Sequence, residues 1–240
     1  MKVTVVLPSR NEEIAISGVL AEVNLAKSLL PDDTELEALV IDNDSSDNTA
    51  EIASRLGAKV IYCPRKGKGN AFWASLTYLE DSDIIIMSDA DSTYPLIMNI
   101  PRIVGMLQEH SIGINYDVVI GYREYRQPSS MTKLNLFGNK LLSGITTLLY
   151  RFHIKDVCSG LWGFKREALG RFDLTSKGFT LEADLFTNAI YSKCKIGQFP
   201  IKYRARLGKS SAKFRPGIDW MKILKFLIIR RVKPCHPYSG

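Results

Sequence analysis

The 240-residue chain is poor in histidine and has no metal-binding pattern of cysteines. Its three histidines, His110, His153 and His236, lie outside every motif. Its four cysteines, at 63, 158, 194 and 235, have neither zinc-site nor disulfide-framework spacing, so both are unexpected and the thiols read as reduced, as in a cytoplasmic protein. No run reaches the roughly 20 apolar residues that a membrane-spanning helix needs. The nearest, 223–229, is interrupted by Lys225 and closed by Arg230-Arg231. No charged-then-apolar leader precedes the first strand, so no secretory signal is expected. A G-x-x-x-x-G-K-[ST] phosphate loop, internal repeats and low-complexity tracts are also missing. Acid is scarce near the end, where eleven basic residues between 202 and 233 meet a single acid, Asp219. Such a tail suits nucleic acid, an anionic membrane or a phosphorylated substrate, but no nucleic-acid recognition motif accompanies it.

What is present is an ordinary globular composition, 45% hydrophobic and 24% charged with a net charge of +7, enough for one substantial core. Short apolar runs, the first of them β-branched, predict strands at 3–7, 36–41, 59–62, 83–87, 117–120, 161–164 and 196–201. Helices are predicted at 13–30, 47–56, 70–79, 134–152 and 181–192. This alternation indicates an α/β fold with a mainly parallel central sheet and flanking helices. Ligands in such sheets bind at the carboxyl ends of the strands. Three polar clusters fall there: Pro8-Ser9-Arg10-Asn11-Glu12, Asp42-Asn43-Asp44-Ser45-Ser46-Asp47 and Asp89-Ala90-Asp91. Two carboxylates one residue apart repel unless a cation holds them. Hard oxygen ligands suit Mg²⁺ or Mn²⁺, ions that commonly accompany a diphosphate. Alone, Asp-Ala-Asp also fits an acidic turn that caps a helix; the convergence of three clusters favours a site. Gly67-Lys68-Gly69 reads either as a flexible turn or as a ligand contact.

In order along the chain, these motifs resemble the family 2 glycosyltransferases of GT-A fold. Residues 5–13 are similar to that family's opening strand and P-x-x-N-E turn, 41–49 (IDNDSSDNT) to its V-D-D-G-S-x-D-x-T, 67–69 to its G-K-G, and 89–91 to its D-x-D metal motif. The second half, through 119–123, 156–164, 178–182 and 200–210, resembles the polyprenyl-phosphate branch typified by dolichyl-phosphate mannose synthase. Three departures stand out: Asn43 replaces the second Asp, Asp44 replaces the Gly, and Ser211 stands where the family's R-x-G-x-S-K ending has Lys, with Lys209 and Lys213 nearby.

The resemblance implies an inverting transfer of sugar from a nucleotide sugar, GDP- or UDP-linked, to a polyprenyl or dolichyl phosphate. It implies that Asp42 accepts from the nucleobase while Pro8, Arg10 and Glu12 line that pocket and Lys68 contacts the donor. Asp89 and Asp91 would hold the metal, Asp91 most directly. Arg123, Arg206, Lys209 and Lys213 would neutralise phosphates, and Asp156, Ser159 and Gly160 would lie beside the sugar. Glu182 and Asp184 do not share a helix face, so only Glu182 is expected to point at the site. Phe72, Trp73, Trp162 and Phe164 read as packing residues.

Residues 1–214 would form the transferase domain. Residues 215–240 form a basic amphipathic segment whose IDWMKILKFLIIRR run suits a membrane interface; 134–152 is a second such helix. Either helix would equally suit a core or a dimer contact. Attachment is expected to be peripheral, on the cytosolic face. A hydroxyl acceptor, which would need Glu182 or Asp156 as base, and an inactive binding module are the rival readings.

Overall fold

The structure is a computed structural model; it describes residues 1–108, 114–124, 132–207 and 214–234. Its seven-stranded sheet comprises β1 (Lys2–Ser9), β2 (Glu35–Asp42), β3 (Lys59–Tyr62), β4 (Ile84–Met87), β5 (Val118–Glu124), β6 (Trp162–Lys165) and β7 (Ile196–Lys202), in the order β3-β2-β1-β4-β6-β5-β7. β1 lies parallel to β2 and β4, and β5 to β7. β6 alone runs antiparallel to both its neighbours. This reversal brings the segment before β6 to the rim where the other strands end. β1 and β4 are central, and their near-continuous Val, Leu and Ile runs are buried on both faces.

One face is covered by α1 (Ile16–Lys27), α2 (Thr49–Arg55) and α4 (Leu96–Leu107). The other carries α3 (Lys68–Ser75), α5 (Lys133–Tyr150), α7 (Leu181–Tyr191) and α8 (Ile218–Val232), with the short α6 (Arg166–Leu169) following β6. Helix α1 starts three residues later than the periodicity predicts. Glu12 and Glu13 are drawn instead toward the second polar loop, where Glu12 N donates to Thr49 Oγ1 and Glu13 Oε2 accepts from Asn48. Helix α4 was not predicted at all. Its buried Leu96, Ile100, Ile103, Val104 and Leu107 are helically spaced, but Pro101 interrupts the pattern.

Helix α8 packs into the same core as α5 and α7. Ile223 and Leu227 are buried beside α5 and α7. Arg230 reaches the fully buried Asp184 on α7 at 3.0 Å. The outer faces of α5 and α8 carry apolar side chains among charged ones: Leu134, Phe137, Leu141 and Leu148 on α5 and Ile218, Met221, Ile228, Ile229 and Val232 on α8 are exposed. Among the described residues, no helix is long and apolar enough to cross a membrane. Phe72, Trp162 and Phe164 are core residues, whereas Trp73 is 60% exposed and packs no core.

Candidate active site

A cavity of about 450 Å³ opens where β1, β2 and β4 end. Its walls include Pro8, Arg10, Glu12, Lys68, Asp89, Asp91, Arg123, Glu182 and Arg206. These come from six separate segments, gathered because the parallel strands end on one rim.

The two carboxylates after β4 differ in their surroundings. Asp91 Oδ1 accepts from the backbone and hydroxyl of Thr93 at 3.1 and 2.5 Å. Its other oxygen lies 3.7 Å from the Arg206 guanidinium, which also pairs with Glu12. Burial, and then the Asp89 charge, raises the Asp91 carboxyl above its ordinary range. Asp89 Oδ1 instead meets Lys68 Nζ at 2.5 Å, and the same ammonium lies 2.5 Å from Glu182 Oε1. Burial disfavours the Lys68 charge, but the two carboxylates outweigh it and hold the ammonium firmly protonated. Burial raises Glu182 in turn, and Lys68 opposes that rise.

The glycines of Gly67-Lys68-Gly69 are steric necessities. A β-carbon on Gly67 would stand 2.1 Å from Lys177 O, and one on Gly69 2.3 Å from Ser176 O. The 176–177 segment crosses directly over them and leads into α7, whose first turn carries Glu182. That close crossing sets Lys68 against Glu182. Gly160 has a similar purpose: its missing β-carbon leaves room for Asp89 Oδ2, which would be 2.3 Å away.

Two predicted contacts are corrected. Asp156 is 1% exposed and does not reach the cavity. Its oxygens accept from Arg123 Nε at 2.6 Å and Nη2 at 2.8 Å, from Asn139 at 2.8 Å and from Cys158 N at 3.2 Å. Saturated in this way, it positions Arg123 rather than meeting a substrate. Ser159 is also fully buried. It donates to Gly121 O, accepts from Leu161 N, and its carbonyl accepts from Trp162 Nε1, so it braces the start of β6. Asp42, at the end of β2, does not line the cavity either, but its Oδ1 is buried without a hydrogen-bond partner. Lys209 and Lys213 lie outside the described residues. Glu182 faces the cavity, while Asp184 turns away toward Arg230.

Several wall residues had no signal in the sequence. Tyr203 stands just past β7, edge-on to Tyr94 at 5.1 Å and beneath the Arg123 guanidinium at 5.3 Å. Phe179, Phe214, Trp220 and Ile223 give the same cavity an apolar lining, together with Arg215. Phe214 packs against Phe179 at 5.7 Å and Trp220 at 6.4 Å. The Trp220 indole sits over Gly138, whose added β-carbon would be 2.3 Å away.

Among the described residues no three His, Cys, Asp or Glu side chains cluster as a metal cage. Asp89 and Asp91 are too few for a protein-only site. They do fit Mg²⁺ or Mn²⁺, which keep water and substrate phosphate oxygens and take one or two carboxylates from the protein.

Comparison with known proteins agrees with this geometry. The family model described as Glycosyl transferase family 2 matches residues 4–172. The dolichyl-phosphate hexose transferase of Haloferax volcanii is 30% identical over 206 residues, covering 86% of this chain and 84% of that protein. The dolichol-phosphate mannosyltransferase of Pyrococcus furiosus is 26% identical over 92% of this chain and 62% of its own length. Glucosyl-3-phosphoglycerate synthase of Mycobacterium tuberculosis, solved with UDP, superimposes on all of this chain and 82% of its own at a TM-score of 0.72 and 24% identity. On the family match and the Haloferax relative, the chain belongs to glycosyl transferase family 2, and its architecture is the GT-A fold.

Proposed function

We propose that this protein is an inverting glycosyltransferase that passes a sugar from a nucleoside-diphosphate sugar to a polyprenyl phosphate such as dolichyl phosphate. One observation carries the reading: a single cavity is lined both by carboxylates and cations at the strand rim and by the aromatic and apolar side chains of Phe179, Phe214, Trp220 and Ile223. The first suits a metal-bound diphosphate and the second a hydrocarbon chain. The Haloferax and Pyrococcus relatives, named for dolichyl and dolichol phosphate, support the same acceptor.

In this reading Asp42 offers its unsatisfied oxygen to a nucleobase N–H, with Pro8, Arg10 and Glu12 alongside. Asp89 and Asp91 hold Mg²⁺ or Mn²⁺; a structural neighbour was solved with Mn²⁺ and UDP. Bound there, the ion supplies charge neutralisation for the departing diphosphate. Arg123, fixed by Asp156, and Arg206 bind phosphate oxygens, with Lys209 and Lys213 on the acceptor side. The acceptor phosphate is already ionised and attacks the anomeric carbon in line, so no base is required. A hydroxyl acceptor would need one. Glu182 is committed to Lys68 and Asp156 to Arg123, which favours the phosphate acceptor. The exposed apolar residues of α5 and α8, with Lys222, Lys225 and Arg231 interspersed, would seat the protein peripherally on an anionic cytosolic membrane face.

The test is a panel of labelled GDP- and UDP-sugars incubated with Mn²⁺, with and without dolichyl phosphate. Label should enter the organic phase only when the lipid phosphate is present. Transfer solely to a water-soluble acceptor, with no binding to anionic liposomes, would refute the acceptor assignment.

A further inference from the structure

The side chain least explained by donor binding alone is Lys68. Its ammonium lies between two carboxylates, 2.5 Å from Asp89 and 2.5 Å from Glu182. Its backbone is fixed on both sides. Gly67 N donates to Asn43 Oδ1 at 2.7 Å, Asn70 N donates to Lys177 O at 3.1 Å, and the 176–177 segment crosses both flanking glycines. Only the side chain of Lys68 is therefore free to move. Its two partners are unequal. Glu182 sits in the first turn of α7 and is 11% exposed, whereas Asp89 sits on a loop and is 30% exposed.

We propose that Lys68 is a built-in counter-ion for Asp89: when a divalent metal and the donor diphosphate enter together, Lys68 exchanges Asp89 for a diphosphate oxygen and pivots on Glu182. This rests on the nucleotide-sugar reading of the site. The charges require such an exchange. A divalent ion on Asp89 Oδ1 would compete with the ammonium for that oxygen and repel it, while the incoming diphosphate offers it a new anion. Glu182 keeps Lys68 neutralised throughout, which assigns this carboxylate to positioning Lys68 rather than to the acceptor. Metal alone should then bind weakly because it must displace Lys68. Metal and nucleotide should assist one another, each by the same factor.

The experiment measures binding to the whole protein without acceptor: Mn²⁺ by the electron paramagnetic resonance of the free ion, and UDP and GDP by calorimetry with and without Mn²⁺. Lys68→Met should bind Mn²⁺ alone at least about fivefold tighter, and nucleoside diphosphate without metal more weakly by a similar factor, since a charge-assisted hydrogen bond changes sides. Glu182→Gln, which leaves Lys68 wholly on Asp89, should shift the affinity for Mn²⁺ alone the opposite way. Unchanged or weaker Mn²⁺ binding in folded Lys68→Met overturns the proposal. If that variant does not fold, unchanged or tighter Mn²⁺ binding by Glu182→Gln overturns it instead. Wild-type protein that binds neither UDP nor GDP with Mn²⁺ would refute the nucleotide reading itself, a result separate from the metal-only comparison.

Discussion

Gly160→Ala separates the geometry of the proposed metal site from the stability of the fold. Gly160 has no positive φ, so alanine fits its backbone conformation. The new β-carbon would stand 2.3 Å from Asp89 Oδ2 and 2.7 Å from its Cγ. Ordinary contact begins at about 3.5 Å, so the carboxylate must retreat by about 1 Å. Asp89 can do so, because the clashing atoms are the free end of a side chain that is 30% exposed. The fold should lose no more than about 1 kcal/mol, a shift in Tm of roughly 2–4 °C for a chain of this size. The Lys68 contact and the metal geometry should suffer far more, since a displacement near 1 Å at a reacting centre can cost about a hundredfold. Thermal melting and Mn²⁺-dependent UDP and GDP binding should be read side by side, with sugar transfer as the third measure. A variant with unchanged metal-dependent nucleotide binding and transfer would refute the placement of Asp89 against Gly160. One that unfolds would refute the claim that the contact yields.

Gly69→Ala should behave the other way, because its β-carbon meets backbone: Ser176 O at 2.3 Å and Lys177 C at 2.8 Å. Overpacking together with loss of the Asn70 N to Lys177 O bond should cost about 2–4 kcal/mol in urea unfolding; a loss well under 1 kcal/mol would contradict the crossing. Asp91→Asn should raise the Tm of metal-free protein at neutral pH while abolishing transfer. The sign follows from its raised pKa. A carboxyl that holds its proton more tightly when folded penalises the fold as pH climbs from the ordinary 3.8 through the raised value, and asparagine removes that penalty. Melts in chelator across that range check this, and an Asn variant that loses stability at neutral pH would contradict it. Trp220→Ala should raise the apparent KM for polyprenyl phosphate about tenfold while leaving nucleotide binding unchanged; equal losses in both would place Trp220 in general packing.

The sheet was legible because most of its strands are short apolar runs, and the rim because carboxyl-edge loops concentrate Asp, Asn, Glu and Arg. Helix-face geometry separated Glu182 from Asp184 without any structure. What stayed hidden depends on contacts between distant segments. Helix α4 was masked by Pro101, although its buried positions keep helical spacing. The direction of β6 cannot be read from Trp162–Lys165, yet it decides that Gly160 arrives beneath Asp89. Asp156 and Ser159 have the residue types of a site, and only their saturated hydrogen bonds identify them as supports. The aromatic wall draws Phe179, Phe214 and Trp220 from separate segments, so no local pattern announces it.

Asn43 and Asp44, two of the three departures from the family pattern (the third, Ser211, lies outside the described residues), bear on whether the site is equipped for catalysis. The Asn43 amide donates to Cys63 O at 3.1 Å and Arg65 O at 2.7 Å while its oxygen accepts from Gly67 N at 2.7 Å. An ionised aspartate could not make the two donations, so asparagine suits this loop better. Asp44 has φ +60°, the left-handed conformation in which glycine is easiest and aspartate is tolerated. Its carboxylate there meets Lys66 at 3.1 Å and accepts from the Tyr62 hydroxyl at 3.1 Å. Both substitutions thus hold the strand-edge loop that delivers Lys68. They change how the rim is built and leave Asp42, Asp89 and Asp91 in place, so neither departure supports a scaffold that has lost its chemistry.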